Sequence, residues 1–285
     1  MYYIFIALLL RFYYKQCNQF ISCKHFLFYI QIQYFTSYFQ LKLYLCAKFM
    51  DMAFKRILLK LSGESLMGSD YYGIDYQAVR HFSEEIKSAA DCQVQVAVVI
   101  GGGNIFRGVK GAGIGFDRRQ GDYMGMLATV INSMALEATL TEIGVKAKVL
   151  TSLSIEGIGE KIHFQKVDHY LAQGYVVILG GGTGNPFFTT DSAAALRAVE
   201  IRADLLLKGT RVDGVYSDDP EKNSDAVKYD TLSYTEAYER ELKIMDLTAF
   251  TLCKENKMKL CIYNANKKGN LLRLLQGEQV GTILE

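Results

Sequence analysis

From about residue 55 onward the chain alternates short, densely apolar runs with longer stretches in which apolar residues recur every three or four positions. The runs at 55–61 (KRILLKL), 94–100 (VQVAVVI), 147–150, 176–179 (VVIL), 205–207, 260–263 and 282–284 are strand-length and bounded by glycine or polar residues, which predicts strands. Between the first two, Val79, Phe82 and Ile86 keep helical spacing over 75–90, with Asp75 placed to cap the first turn. The same spacing predicts helices over 122–143, 167–173, 191–201, 235–240, 247–256 and 270–275, with a glycine-interrupted basic loop at 110–121. Met124, Met126 and Met134 on the longest helix read as core or subunit-interface filler rather than ligands. Strands alternating with helices at these intervals predict an α/β fold, a largely parallel sheet with helices on both faces. Such sheets bind ligands at the carboxyl ends of their strands.

Residues 1–50 break the pattern. The apolar start ends at Arg11, short of a membrane span, and no small-residue cleavage site follows. The remainder holds neither a helical nor a strand period. The expectation is that residues 1–50 are an N-terminal extension translated from upstream of the true start, and that the working domain occupies 51–285, beginning at Met50 or Met52. A basic, aromatic membrane-associating extension is the alternative. This segment also distorts the charge: it carries five basic residues and no acidic ones, leaving 27 basic against 30 acidic in the rest. A mildly acidic body offers no footprint for nucleic acid. Six scattered cysteines without a CxxC, and four isolated histidines, form no zinc pattern and suit a reducing cytosol.

Four of the predicted strands end in unusual residues. One delivers Lys60 to Ser62 and Gly63; a second runs into Gly101, Gly102 and Gly103; a third into Gly180, Gly181 and Gly182; a fourth into Lys208, Gly209 and Thr210. Glycine turns expose backbone N–H groups to anions, and lysines add charge, so four such ends converging on one edge are equipment for phosphates. The usual nucleotide signatures are absent. The GxxxxG at 63–68 is followed by Ser69 and Asp70 where a P-loop requires Lys-Ser/Thr, no GxGxxG opens a helix, and there is no protein-kinase HRD or DFG.

The wording of the loops supplies an alternative. KLSGE at 60–64, VVIGGGNIFRG at 98–108, GDYMGMLATVIN at 121–132, GTGNPFFTTD at 182–191, LKGTRVDGVYSDDP at 207–220 and MDLTAF at 245–250 closely resemble the bacterial uridylate kinases, in order and spacing, over about 52–285. The resemblance implies the amino-acid-kinase fold, a three-layer sandwich around a largely parallel sheet. It also implies ATP-dependent phosphorylation of UMP to UDP in pyrimidine nucleotide biosynthesis, with Mg²⁺ held mainly by the nucleotide phosphates. A cytoplasmic homohexamer, GTP as activator and UTP as a candidate inhibitor complete it. No nucleic-acid or membrane partner is expected.

Carried onto this sequence, the resemblance assigns Lys60, Leu61, Ser62, Gly63, Gly103 and Arg107 to ATP, with Thr210, Tyr216 and Asp219 at its nucleoside. UMP falls to Gly102, Asp122, Thr183, Gly184, Asn185, Pro186, Phe187, Phe188, Thr189 and Thr190, Asp122 taking the ribose hydroxyls. The GTP-responsive segment maps to Gly68, Ser69, Asp70, Tyr71, Tyr72 and Gly73. Phosphoryl transfer needs mainly positioning and charge neutralisation. That chemistry makes Lys60 and Lys208 the catalytic cations and Asp191 their organiser rather than a base, because a phosphate acceptor arrives ionised. Asp246 reads as structural. Two other functions remain open: a relative of the same fold acting on a carboxylate or carbamate acceptor, and a non-catalytic nucleotide-binding regulator.

Overall fold

A computed structural model describes residues 52–106, 115, 117–220, 222, 223 and 225–285. Nine strands form one sheet in the order β4-β3-β5-β2-β1-β6-β10-β11-β9. The strands are β1 (Arg56–Leu61), β2 (Gln95–Ile100), β3 (Ala147–Thr151), β4 (Glu160–Lys161), β5 (Val176–Gly180), β6 (Leu205–Thr210), β9 (Thr231–Leu232), β10 (Leu260–Asn264) and β11 (Thr282–Leu284). All neighbours are parallel except β10 and β11. A separate antiparallel pair joins β7 (Val215–Tyr216) and β8 (Lys228–Tyr229).

The central strands are apolar on both faces because helices cover both. Ile57, Leu59 and Leu61 of β1 enter a core with α1 (Tyr76–Asp91), α2 (Arg118–Glu142) and α7 (Asn270–Leu275). Leu58 enters a second core on the opposite face, with α3 (Phe164–Ala172), α4 (Thr190–Glu200), α5 (Tyr234–Glu239) and α6 (Leu247–Glu255). The expected three layers are therefore present, and alternation along each strand fixes which layer a side chain meets. In α4, Ala194, Ala195 and Ala198 form the buried stripe of small residues that packs against the sheet.

Two differences from the sequence expectation matter for function. The long helix begins at Arg118 rather than Asp122, capped by Asp117, whose side chain accepts from the Arg119 N–H. The strand expected to end at Lys208 continues to Thr210, so Lys208 is inside the ladder. Strands β4, β7, β8 and β9 are two residues each, too short to leave a period in the sequence. Residues 1–50 and Arg107 lie outside the described residues.

Candidate active site

Lys60 and Lys208 are direct cross-strand partners in the parallel pair β1/β6, two residues beyond the pair Leu58 and Leu206. Period-two alternation therefore places both lysines on the face of Leu58 and Leu206, the face that α4 covers. Asp191, in the first turn of α4, meets both: its carboxylate lies 2.8 Å from Lys60 Nζ and 2.6 Å from Lys208 Nζ. The Lys208 contact is a directed hydrogen bond. Lys60 forms an ion pair with the other oxygen. Lys208 Nζ also donates to the Ile244 carbonyl at 2.6 Å.

All three side chains are largely buried, and burial sets their electrostatics. Burial alone would push the Asp191 carboxyl up, but the Lys60 and Lys208 charges overcome it and hold the carboxyl below its ordinary value. For Lys208, burial is the largest influence and pulls the ammonium below its ordinary value. The neighbouring Lys60 charge adds to this, and Asp191 opposes it. The cluster carries one net positive charge, poised for an anion.

The α4 N-terminus is fixed from both sides. Thr189 caps it, accepting from the Asp191 and Ser192 N–H groups, and donates its own hydroxyl proton to Asp246. Asp246 also accepts from Ser192 Oγ at 2.9 Å and caps α6 through the Ala249 N–H. These are the contacts of a helix-capping aspartate, and Asp246 also lines a cavity with Asp191 and Lys208.

A cavity of about 490 Å³ opens on one side of this helix start. Of the residues assigned to UMP, Gly102, Asp122, Thr183, Asn185, Phe188, Thr189 and Thr190 line it, together with Gly103. Gly184, Pro186 and Phe187 lie on the same loop outside the wall. Phe187 takes part differently: it holds a left-handed backbone at φ +73° and donates its N–H to Asp122 at 2.8 Å. A non-glycine residue there costs on the order of 1 kcal/mol, and the hydrogen bond offsets it. Arg118 Nε sits 3.0 Å from both Asp122 oxygens, and the guanidinium lies 5.9 Å from the centre of the Phe187 ring.

Gly182, Arg118, Phe106, Gly125, Met126 and Thr129 complete the wall without having been assigned to UMP from sequence; Met126, expected as filler, is buried and also on this wall. Arg118 falls in the stretch expected as a basic loop, and the structure places it in the first turn of α2. The spacing of Asp117 and Gln120, a helix-start signature, could have placed it on α2. Gly102 shows why this wall needs glycine, since a Cβ there would stand 2.7 Å from the Gly125 carbonyl of α2.

A second cavity, of about 680 Å³, contains Lys208, Thr210, Tyr216 and Asp219, three of them the residues assigned to the ATP nucleoside, beside Lys222, Arg240 and Lys243. Another of about 760 Å³ contains Asp191 and Lys208. Consecutive residues Thr190 and Asp191 thus line different cavities. The Leu61 side chain is in the core, so only its backbone is available to a ligand. The Gly63 position is crowded as well, since a Cβ would come within 2.5 Å of the Gly101 carbonyl. The segment 68–73 is exposed at residues 68–72 and tied down at Gly73, whose N–H donates to the Asn104 carbonyl and whose carbonyl accepts from Asn104 Nδ2.

Residues 55–264 match the amino acid kinase family. The chain belongs to that family. Its uridylate kinases are the close relatives: one from Parabacteroides distasonis is 54% identical over 231 residues, covering 81% of this chain and 98% of the relative. One from Porphyromonas gingivalis is 55% identical, covering 81% and 96%. The solved structure of UMP kinase from Bacillus anthracis superposes with a TM-score of 0.79 at 36% identity, over 81% of this chain and 96% of that one. With a family member's sheet, the two lysines and Asp191 sit where strand ends and a helix start converge.

Proposed function

We propose that the chain transfers the γ-phosphoryl group of ATP to the phosphate of UMP, giving ADP and UDP. The observation that carries this reading is the Lys60–Asp191–Lys208 cluster, whose Lys208 lines the cavity of Thr210, Tyr216 and Asp219, and whose Asp191 directly follows Thr189 and Thr190 of the Asp122 cavity. UMP occupies the cavity of Gly102, Asp122 and residues 183–190, and ATP the cavity of Thr210, Tyr216 and Asp219, with its phosphates reaching Lys60, Ser62, Gly63, Gly103 and Arg107. The acceptor phosphate is already ionised, so no general base is needed. Lys60 and Lys208 neutralise charge on the transferring group, and Asp191 keeps the two ammonium groups together and aimed. Among the described residues no cluster of three or more His, Cys, Asp or Glu could hold a metal by itself. Mg²⁺ would take its oxygens mainly from phosphates and water and supply further charge neutralisation.

The same reading extends to a homohexamer in the cytoplasm, activated by GTP through residues 68–73 and inhibited by UTP. Support for self-association is the exposed apolar stripe of Tyr123, Leu127, Ile131 and Met134 on α2. No helix among the described residues is long and apolar enough to cross a membrane. An ADP-release assay with UMP, CMP, aspartate, glutamate and carbamate as alternative acceptors tests the central claim. Turnover confined to UMP, or strongest with it, is expected, and absence of turnover with UMP overturns the proposal. GTP and UTP titrations and light scattering test the regulation and assembly.

A further inference from the structure

We infer that Arg197 and Ser152 form a positioning relay for the acceptor loop, so that α4 aims the catalytic carboxylate with its first turn and the acceptor's binding loop with its last. The inference rests on the UMP-kinase reading of the site. Arg197 is only 8% exposed. A guanidinium cannot discard its charge, so burial demands partners. Nη1 pairs with Glu200 at 2.5 Å, Nη2 donates to Ser152 Oγ at 3.0 Å, and Nε is buried without a partner. Glu200 alone would make an i,i+3 pair of the kind found on helix surfaces. Such a pair needs no burial, and an exposed arginine would make it without leaving Nε unsatisfied.

Ser152 follows β3 and touches the end of β5 and the loop after it at three points. Its N–H donates to the Gly180 carbonyl at 2.9 Å, its hydroxyl donates to the Gly182 carbonyl at 2.7 Å, and its side chain packs beside Gly184. Arginine has no acceptor, so the Ser152 hydroxyl must receive from Arg197, and its single proton is thereby directed to Gly182. A charged donor on the oxygen strengthens that second bond. Across the loop, the Gly181 N–H donates to Thr129 of α2 at 2.8 Å. The turn is thus held from α2 on one side and, through Ser152, from α4 on the other. Gly182, Thr183 and Asn185, immediately beyond, line the acceptor cavity.

The test compares Ser152→Ala, Arg197→Lys and the double variant with the unaltered chain, measuring kcat, KM for UMP, KM for ATP and Tm. The relay predicts a rise in the KM for UMP of roughly 5- to 50-fold in each single variant. The KM for ATP and kcat should stay within about threefold, and the double variant should be no worse than the poorer single one. A purely structural role would lower Tm and the active fraction, reducing apparent kcat while leaving the KM for UMP unchanged, and that result overturns the relay. Additive effects of the two substitutions also overturn it. If the unaltered chain does not turn over UMP, the underlying reading fails instead, and the two failures are distinct.

Discussion

Replacing Asp191 by asparagine removes one charge from the centre of the site while keeping its shape. Each lysine stands within 3 Å of the carboxylate. At an effective dielectric of about 20, each attraction is about 6 kcal/mol before the cost of burying the ions. Desolvation offsets much of this, and breaking a buried pair by removing one partner costs about 3 to 5 kcal/mol. If most of that loss falls on the geometry required in the transition state, kcat drops by on the order of 10²- to 10³-fold.

The pH profile gives an independent reading of the same substitution. The Lys208 ammonium already lies below its ordinary value through burial and the Lys60 charge, with Asp191 opposing both. Removing that opposition lowers it further. Activity that needs the ammonium protonated is lost as pH rises through this value, so the basic limb of kcat/KM for ATP should move to lower pH in Asp191→Asn. Stability follows its own sign. The Asp191 carboxyl is held below its unfolded value, so its contribution is present above the ordinary carboxylate range and is lost as pH falls through the folded value. Steady-state kinetics across pH, with Tm recorded to correct for the folded fraction, is the assay. A kcat within threefold of the parent together with an unmoved basic limb would refute the charge-organising role.

Lys60→Ala and Lys208→Ala should each lower kcat by several powers of ten, about 3 to 5 kcal/mol of transition-state stabilisation, with UMP affinity largely retained. Isothermal titration with UMP checks the second half, and an equal loss of affinity would mean the roles are misassigned. Asp122→Asn should raise the KM for UMP more than it lowers kcat, because the amide keeps one acceptor but loses its pairing with Arg118; steady-state kinetics with an unchanged KM would remove Asp122 from the acceptor site. Gly63→Ala should destabilise the fold by about 2 kcal/mol, lowering Tm by roughly 4 to 8 °C, since its Cβ would meet backbone atoms of the Gly101 turn. Calorimetry showing an unchanged Tm would mean that this turn yields freely.

The sequence exposed much of this site because its chemistry is local. Apolar runs stopping at consecutive glycines marked the strand ends, and the polar start of 189–191 marked a helix N-terminus; both kinds of signal lie within a few residues. What it withheld depends on pairing across the chain. Nothing in KRILLKL or LLLKGT states that Lys60 and Lys208 are register partners, because register belongs to the sheet. Arg118 escaped because glycines and basic residues blurred the start of α2. Ser152 escaped because a lone serine after a strand has no signature until Gly182 and Arg197 are placed beside it.

The register of β1 against β6 has a further consequence for how the fold finds itself. Both strands are buried on two faces, and the three leucines at 205–207 would satisfy either core equally well. An apolar run of this kind cannot choose its own alignment. The lysines can. A one-residue slip would turn an ammonium toward the α1 and α7 layer, away from the Asp191 carboxylate that both lysines meet in the native register. The residues that bring charge to the phosphates therefore also act as a proofreading mark in folding: a chain that has paired these strands wrongly has parted a lysine from Asp191, and pays in stability before it ever meets a substrate.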